Sequence, residues 1–121
     1  MARSQIVTTD IVRAGVAPGA QTTADSTNKH FVDYAAGNMF VEVISTDGSP
    51  QDVTFKIGDA FTTDGLTVSD LVISIPAGGT KLIGPFRPKT FAQTANSNQL
   101  WVDPAVSTTL KFRAYTLTAT P

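Results

Sequence analysis

The chain has 121 residues, 41% of them hydrophobic and 16% charged, with a formal net charge of −1. That length fits one domain with a real core. A balance of 9 Lys+Arg against 10 Asp+Glu gives no basic field to attract nucleic acid, and the absence of cysteine excludes disulfides, thiolate metal sites and a Cys nucleophile.

Charged residues fall well below the roughly 25% of a typical globular domain, and Thr is the commonest residue. β-branched side chains suit pleated strands. The composition argues for an all-β domain with much of its surface covered by neighbours. The opening MARSQIVTTD lacks a continuous apolar stretch, so a secretory signal is not expected. No apolar run approaches the about 20 residues that span a bilayer, so no membrane association is expected.

Residues 1–30 differ from the rest. SQIVTTDIVRAGV has β character, with a short strand expected over residues 6–12, but APGAQTTADSTNKH carries almost no large apolar side chain. Such a segment cannot bury enough surface to fold alone. It reads as an extended N-terminal arm, set against a β domain over residues 31–121. Ile6, Val7, Ile11 and Val12 would be wasted if always exposed. They suggest an arm that docks on a neighbour or on its own domain, with Arg3 and Arg13 as pairing groups.

From Phe31 the hydrophobic period becomes two. Met39, Val41 and Val43 alternate with Phe40, Glu42 and Ile44, and TDGSPQ supplies hairpin punctuation. Val53, Phe55 and Ile57 then alternate with Thr54 and Lys56, the pattern of a half-buried strand. GDAFTTDG reads as a loop. Leu71, Ile73 and Ile75 share a face, and Pro76-Ala77-Gly78-Gly79 breaks the strand. Lys81-Leu82-Ile83 resumes it, and Ile83 joins the same expected core. RPKTFAQTANSNQ reads as loop plus a short edge strand. Leu100-Trp101-Val102 forms a short strand stopped by Asp103-Pro104. Leu110, Phe112 and Ala114 alternate with Lys111, Arg113 and Tyr115 in the clearest strand of the chain. No helical period is sustained. Strand signals spaced by roughly 8–15 residues predict an antiparallel β-sandwich, jelly-roll-like, of about seven to nine strands.

Catalytic chemistry is hard to find. His30 is the only histidine and sits at the end of the polar arm, far from any nucleophile elbow, so a solvated or interface role is expected. Asp47, Asp59 and Asp64 do not fit a calcium loop and read as turn formers. GGTK at residues 78–81 lacks the full phosphate-loop spacing and a following helix. Glu42 reads as an exposed strand charge rather than half of a carboxylate pair. Trp101, Tyr34 and Tyr115 are the candidates for a sugar-stacking platform, with a core or interface role as the simpler reading of Trp101. The chain is therefore expected to be no enzyme and to need no metal or cofactor.

Three stretches carry a family likeness: MFVEVISTDGSPQDVTF, then TTDGLTVSDLVISIPAGGTKLIGPF, then a short LWV strand with a closing TTLKFRAYTL. Together they make residues 38–117 resemble the small head proteins of tailed bacteriophages, best represented among actinobacterial phages. The first 37 residues lie outside the resemblance. It implies a β-sandwich capsid decoration, or cement, protein. Such a protein binds the major capsid protein on the outside of the assembled head as a homo-oligomer, often a trimer at three-fold positions. Its place is the virion surface, after synthesis in the host cytoplasm. A ligand of the assembled lattice stabilises it by mass action, and many copies reinforce one another. The arm residues Arg3, Ile6, Val7, Ile11, Val12 and Arg13 are the expected capsid or subunit contacts. The alternative reading is a receptor- or carbohydrate-binding module of a fibre or tail.

Overall fold

The computed structural model describes residues 3–33, 38–58, 62–63, 66–67, 69–86, 88–93 and 98–117. Two five-stranded sheets pack face to face as a β-sandwich. The strands in chain order are β1 (Ser4–Gln5), β2 (Thr8–Asp10), β3 (Thr22–Thr23), β4 (His30–Asp33), β5 (Asn38–Ser45) and β6 (Gln51–Phe55). They continue as β7 (Thr62–Thr63), β8 (Leu66–Thr67), β9 (Leu71–Ile75), β10 (Thr80–Ile83), β11 (Gln99–Pro104) and β12 (Leu110–Leu117). One sheet runs β1-β4-β11-β6-β9. The other runs β10-β5-β12-β2, with β3 also paired to β12.

The alternation in sequence is the alternation in burial. Met39, Val41 and Val43 on β5, Val53 and Phe55 on β6, Leu100 and Val102 on β11, and Leu110, Phe112 and Ala114 on β12 are all buried. Each large apolar side chain so buried is worth about 1.5–3 kcal/mol of transfer free energy. β5 and β12 form the spine of their sheet, in register from Leu110↔Ser45 to Leu117↔Asn38.

The strands are not all antiparallel, as the pattern predicts, because the N-terminal segment enters both sheets. β1 lies parallel to β4 at Ser4↔His30, and β2 lies parallel to β12 at Thr9↔Tyr115. The sheets are therefore mixed. Between β1 and β2 the chain crosses from one sheet to the other, and Ile6, 1% exposed, fills the gap between them. Of the two docking partners open to the N-terminal segment, residues 4–10 and 22–24 take their own domain.

A second crossing closes the opposite side. β9 is the outer strand of one sheet and β10 the outer strand of the other, joined by the turn Pro76-Ala77-Gly78-Gly79. Gly78 has φ 65°, in the left-handed region that favours glycine. This position explains a failed expectation. Ile75 is buried and Ile73 and Ile83 pack against the core, but Leu71 sits at the rim of an edge strand and is exposed.

Two short elements lie in stretches whose sequence predicts loop, or loop with a short edge strand. Thr62–Thr63 pairs with Leu66–Thr67 as a small hairpin. Pro88–Phe91 forms one helical turn, α1. Phe86 stacks on Phe55 at 4.7 Å and meets Phe91 edge-on at 5.0 Å, tying this region to the core. Gly58 lies against the end of the turn, where an added Cβ would stand 2.6 Å from the Ala92 carbonyl oxygen.

Candidate interaction surface

The six expected contact residues divide into two groups. Arg3 and Ile6 work inside the domain. The parallel register of β1 and β4 sets Arg3 beside the start of β4. From there its Nη1 donates to Asp103 Oδ1 at 2.6 Å and to the His30 carbonyl at 3.1 Å. The guanidinium also lies 4.0 Å above the Trp101 ring, and Lys29 Nζ stands 3.7 Å from Asp103 Oδ2. Arg3 is thus committed to a cation–π contact and an ion pair of its own chain.

Val7, Ile11, Val12 and Arg13 face solvent instead. Val7 is 69% exposed because it follows the inward Ile6 by one residue on an extended chain. The Ile11 amide donates to the Thr116 carbonyl at 2.7 Å, which carries the β2–β12 register onward and sets Ile11 beside Leu117. The Gly15 amide then donates to the Val12 carbonyl at 2.9 Å in a tight turn, after which Val16 is also exposed. The result is a set of exposed aliphatic side chains held at the β2 edge. Leu117 was missed by sequence reasoning. Its signal was parity, since it continues the outward phase of Lys111, Arg113 and Tyr115. A second exposed aliphatic set, Val72 and Leu82 with Leu71, marks the β9 and β10 edges on the other side.

The structure separates the proposed aromatic platform. Trp101 points outward from β11 and Tyr115 outward from β12, on opposite outer faces of the sandwich. Tyr34 lies outside the described residues. Trp101 is further occupied by Arg3 over its ring and by its own indole N–H, which donates to Gln99 Oε1 at 3.2 Å.

The remaining polar residues stitch strands together. Glu42 is not a free strand charge. It accepts from Arg113 Nη1 and from the Tyr115 hydroxyl, both at 3.2 Å, while Arg113 Nε donates to the Gly19 carbonyl at 3.0 Å. Burial, and then the Glu42 charge, push the Tyr115 hydroxyl above its ordinary pKa. Asp47 accepts from the Ser49 amide and the Thr109 hydroxyl, each at 2.9 Å, and these bonds hold its carboxyl below the usual range. The GGTK turn has spent its donors. The Gly78 amide donates to the Asp47 carbonyl and the Gly79 amide to the Pro76 carbonyl. Asp59 and Asp64 lie outside the described residues. Among the described residues no cluster of His, Cys, Asp or Glu is suited to a metal ion, and no helix is long and apolar enough to cross a membrane.

His30 is the largest departure from expectation. It is neither solvated nor at an outer surface but fully buried, with its ring 5.2 Å from that of Phe112. Its residue alternates inward with Val32 on β4, a phase hidden in the sequence because the polar segment before it masks the start of the strand.

No family model, no curated protein and no solved structure matches this chain.

Proposed function

We propose that this chain is a structural decoration, or cement, protein of a tailed-phage capsid. It binds the major capsid protein on the outside of the assembled head, as a trimer, and links neighbouring capsid subunits. The observation that carries this reading is the set of exposed aliphatic side chains at and around the β2 edge, Val7, Ile11, Val12, Val16 and Leu117, on a domain in which Arg3, Lys56 and Arg113 are each ion-paired within the chain. Exposed aliphatic side chains gathered at one edge are a mark of an interaction site. The sequence resemblance over residues 38–117 supplies the partner. A jelly-roll relationship is supported by the order β4-β11-β6-β9 in one sheet and by the adjacency of β5 and β10 in the other.

The N-terminal segment acts in this reading as a fixed ridge rather than a free arm. Removing residues 2–16 would therefore be a poor test, because it also removes Ile6 from the core. The informative variants are Ile11→Asp and Leu117→Asp, which change only exposed side chains. Both should fold as the parent does by circular dichroism. Both should lose about tenfold or more in co-sedimentation with expanded heads. Wild-type protein should saturate those heads at a copy number set by the lattice. Folded variants that sediment with heads as the parent does would remove the basis for this surface.

A further inference from the structure

We propose that His30 is an acid-released latch: protonating its imidazole detaches the N-terminal segment, residues 3–29, from the sandwich. The ring is fully buried, and Nε2 accepts a hydrogen bond from the Asp25 amide at 2.9 Å. An accepting Nε2 is unprotonated, so the neutral ring carries its hydrogen on Nδ1. No acceptor meets Nδ1 in full hydrogen-bonding geometry, although the Ser4 backbone lies close enough to the ring to favour its charged form. A second proton has only Nε2 to occupy. It would turn that acceptor into a donor facing the Asp25 N–H, and it would place a charge in the core, where contact with the Phe112 ring offsets only part of the cost of burial.

The bond at risk holds the fold of the segment. The Asp25 amide opens the turn in which the Lys29 amide donates back to the Asp25 carbonyl at 2.9 Å. The Lys29 carbonyl in turn accepts from the Ser4 amide at 3.0 Å, and the Phe31 carbonyl accepts from the Ile6 amide at 2.8 Å. His30 thus sits where the turn, β1 and β4 meet. Release would strip one pairing edge from β4 and one from β12, and would withdraw Ile6.

The charged groups around the ring do not rescue its protonated form. Burial acts first, lowering the pKa. The backbone of Ser4 on β1 and the carboxylate of Asp25 oppose it, Arg3 on β1 reinforces it, and Asp103 on β11 opposes it; the balance lies below the ordinary value. A folded pKa below the unfolded one means that the released state binds more protons. The closed state is therefore fully favoured above about pH 6.5 and weakens as pH falls toward the folded value, by up to about tenfold in the opening constant per pH unit. Asp25 titrates well below this window, its carboxyl lowered by the Asn28 and Thr27 amides.

The chain has a single histidine, so its ring resonances are unambiguous by NMR in the wild-type protein. The expected spectrum shows the Nδ1–H tautomer and a titration midpoint below 6.5. Over the same range, amide exchange at Ser4, Ile6, Asp25 and Lys29, corrected for intrinsic chemistry, should accelerate by about tenfold per pH unit. Val43 and Val53 should stay protected. His30→Gln keeps an acceptor near the Nε2 position without titrating, and should abolish the acceleration. If that variant does not fold, the wild-type exchange profile decides alone. An ordinary His30 midpoint with unchanged exchange at the four amides would overturn the latch. So would acceleration of Val43 and Val53 in step with them, or acceleration that persists in His30→Gln.

Discussion

Ile6→Ala tests whether the N-terminal segment is structural. Ile6 fills the space between the sheets at the β1–β2 crossing and is 1% exposed, and its amide donates to the Phe31 carbonyl at 2.8 Å. The substitution removes three carbons, worth about 2.4 kcal/mol at roughly 0.8 kcal/mol each. Incomplete collapse of the resulting cavity brings the expected loss to about 3 kcal/mol. Ile6→Val removes one carbon and should cost about 1 kcal/mol. Val7→Ala, one residue away but 69% exposed, should stay within about 0.5 kcal/mol of the parent. Urea denaturation of the three variants measures all of these on one scale, and a loss of about 3 kcal/mol is large against the roughly 5–15 kcal/mol stability of a domain this size. The graded order Ile6→Ala, Ile6→Val, Val7→Ala is the signature of a core position. If Ile6→Ala matched Val7→Ala, the segment would contribute nothing to the core and the packing argument would fail.

Three further outcomes follow from the side-chain geometry. Arg3→Ala removes the guanidinium from the Trp101 ring and from Asp103, and should destabilise by about 1–2 kcal/mol. Because Trp101 is the only tryptophan, its fluorescence should also shift to the red, and an unchanged emission would contradict the stacked geometry. The carboxyls of Asp25 and Asp47 are both lowered by hydrogen bonds from backbone amides, so their stabilisation is present above the unfolded carboxylate range near pH 4 and is lost as pH falls through the folded values. The Asp25→Asn/Asp47→Asn double variant should flatten the acid limb of a stability–pH profile; a limb as steep as the parent's would rule these groups out as its source. Thr108 has φ 68°, a poor conformation for a β-branched residue, and only its backbone bonds to Ala24 and Lys111 are involved in holding the turn. Thr108→Asn should raise stability by about 0.5–1 kcal/mol in thermal or urea unfolding, and a loss would show that the hydroxyl or methyl has an unrecognised partner.

The parts of the fold that were legible in the sequence are those where side-chain period and burial coincide. β6 and β12 alternate in sequence, β5 and β11 carry apolar runs whose burial alternates, and each of the four lies inside a sheet with a neighbour on both sides. The edges were harder. Leu71 has the phase of a core residue, yet an edge strand has no neighbour to cover its rim. The N-terminal strands were harder still, because two- and three-residue elements carry no period at all. Thr8–Asp10 falls inside the strand expected over residues 6–12, whereas Ser4–Gln5 has no such signal, and the pairing of the two with β12 and β4 is a long-range fact that no local pattern encodes. His30 was misplaced for the same reason. Its burial follows from the inward phase of β4, which only the parallel partner and the opposing Phe112 make visible.

This pairing changes the physical account of how the proposed surface would bind. A free arm loses backbone entropy on docking, about 1–2 kcal/mol for each residue fixed. Here Thr8–Asp10 are already in a sheet, the Ile11 amide is already bonded to Thr116, and the turn at Val12 and Gly15 is closed. The ordering cost is met on folding, by Ile6, by the Arg3 contacts and by the His30 latch, before any partner arrives. A preorganised edge binds with less loss per contact than a flexible segment of the same composition. The same logic makes the edge conditional: whatever loosens Ile6 or protonates His30 converts the ridge into an undocked arm, and weakens binding without altering a single exposed side chain.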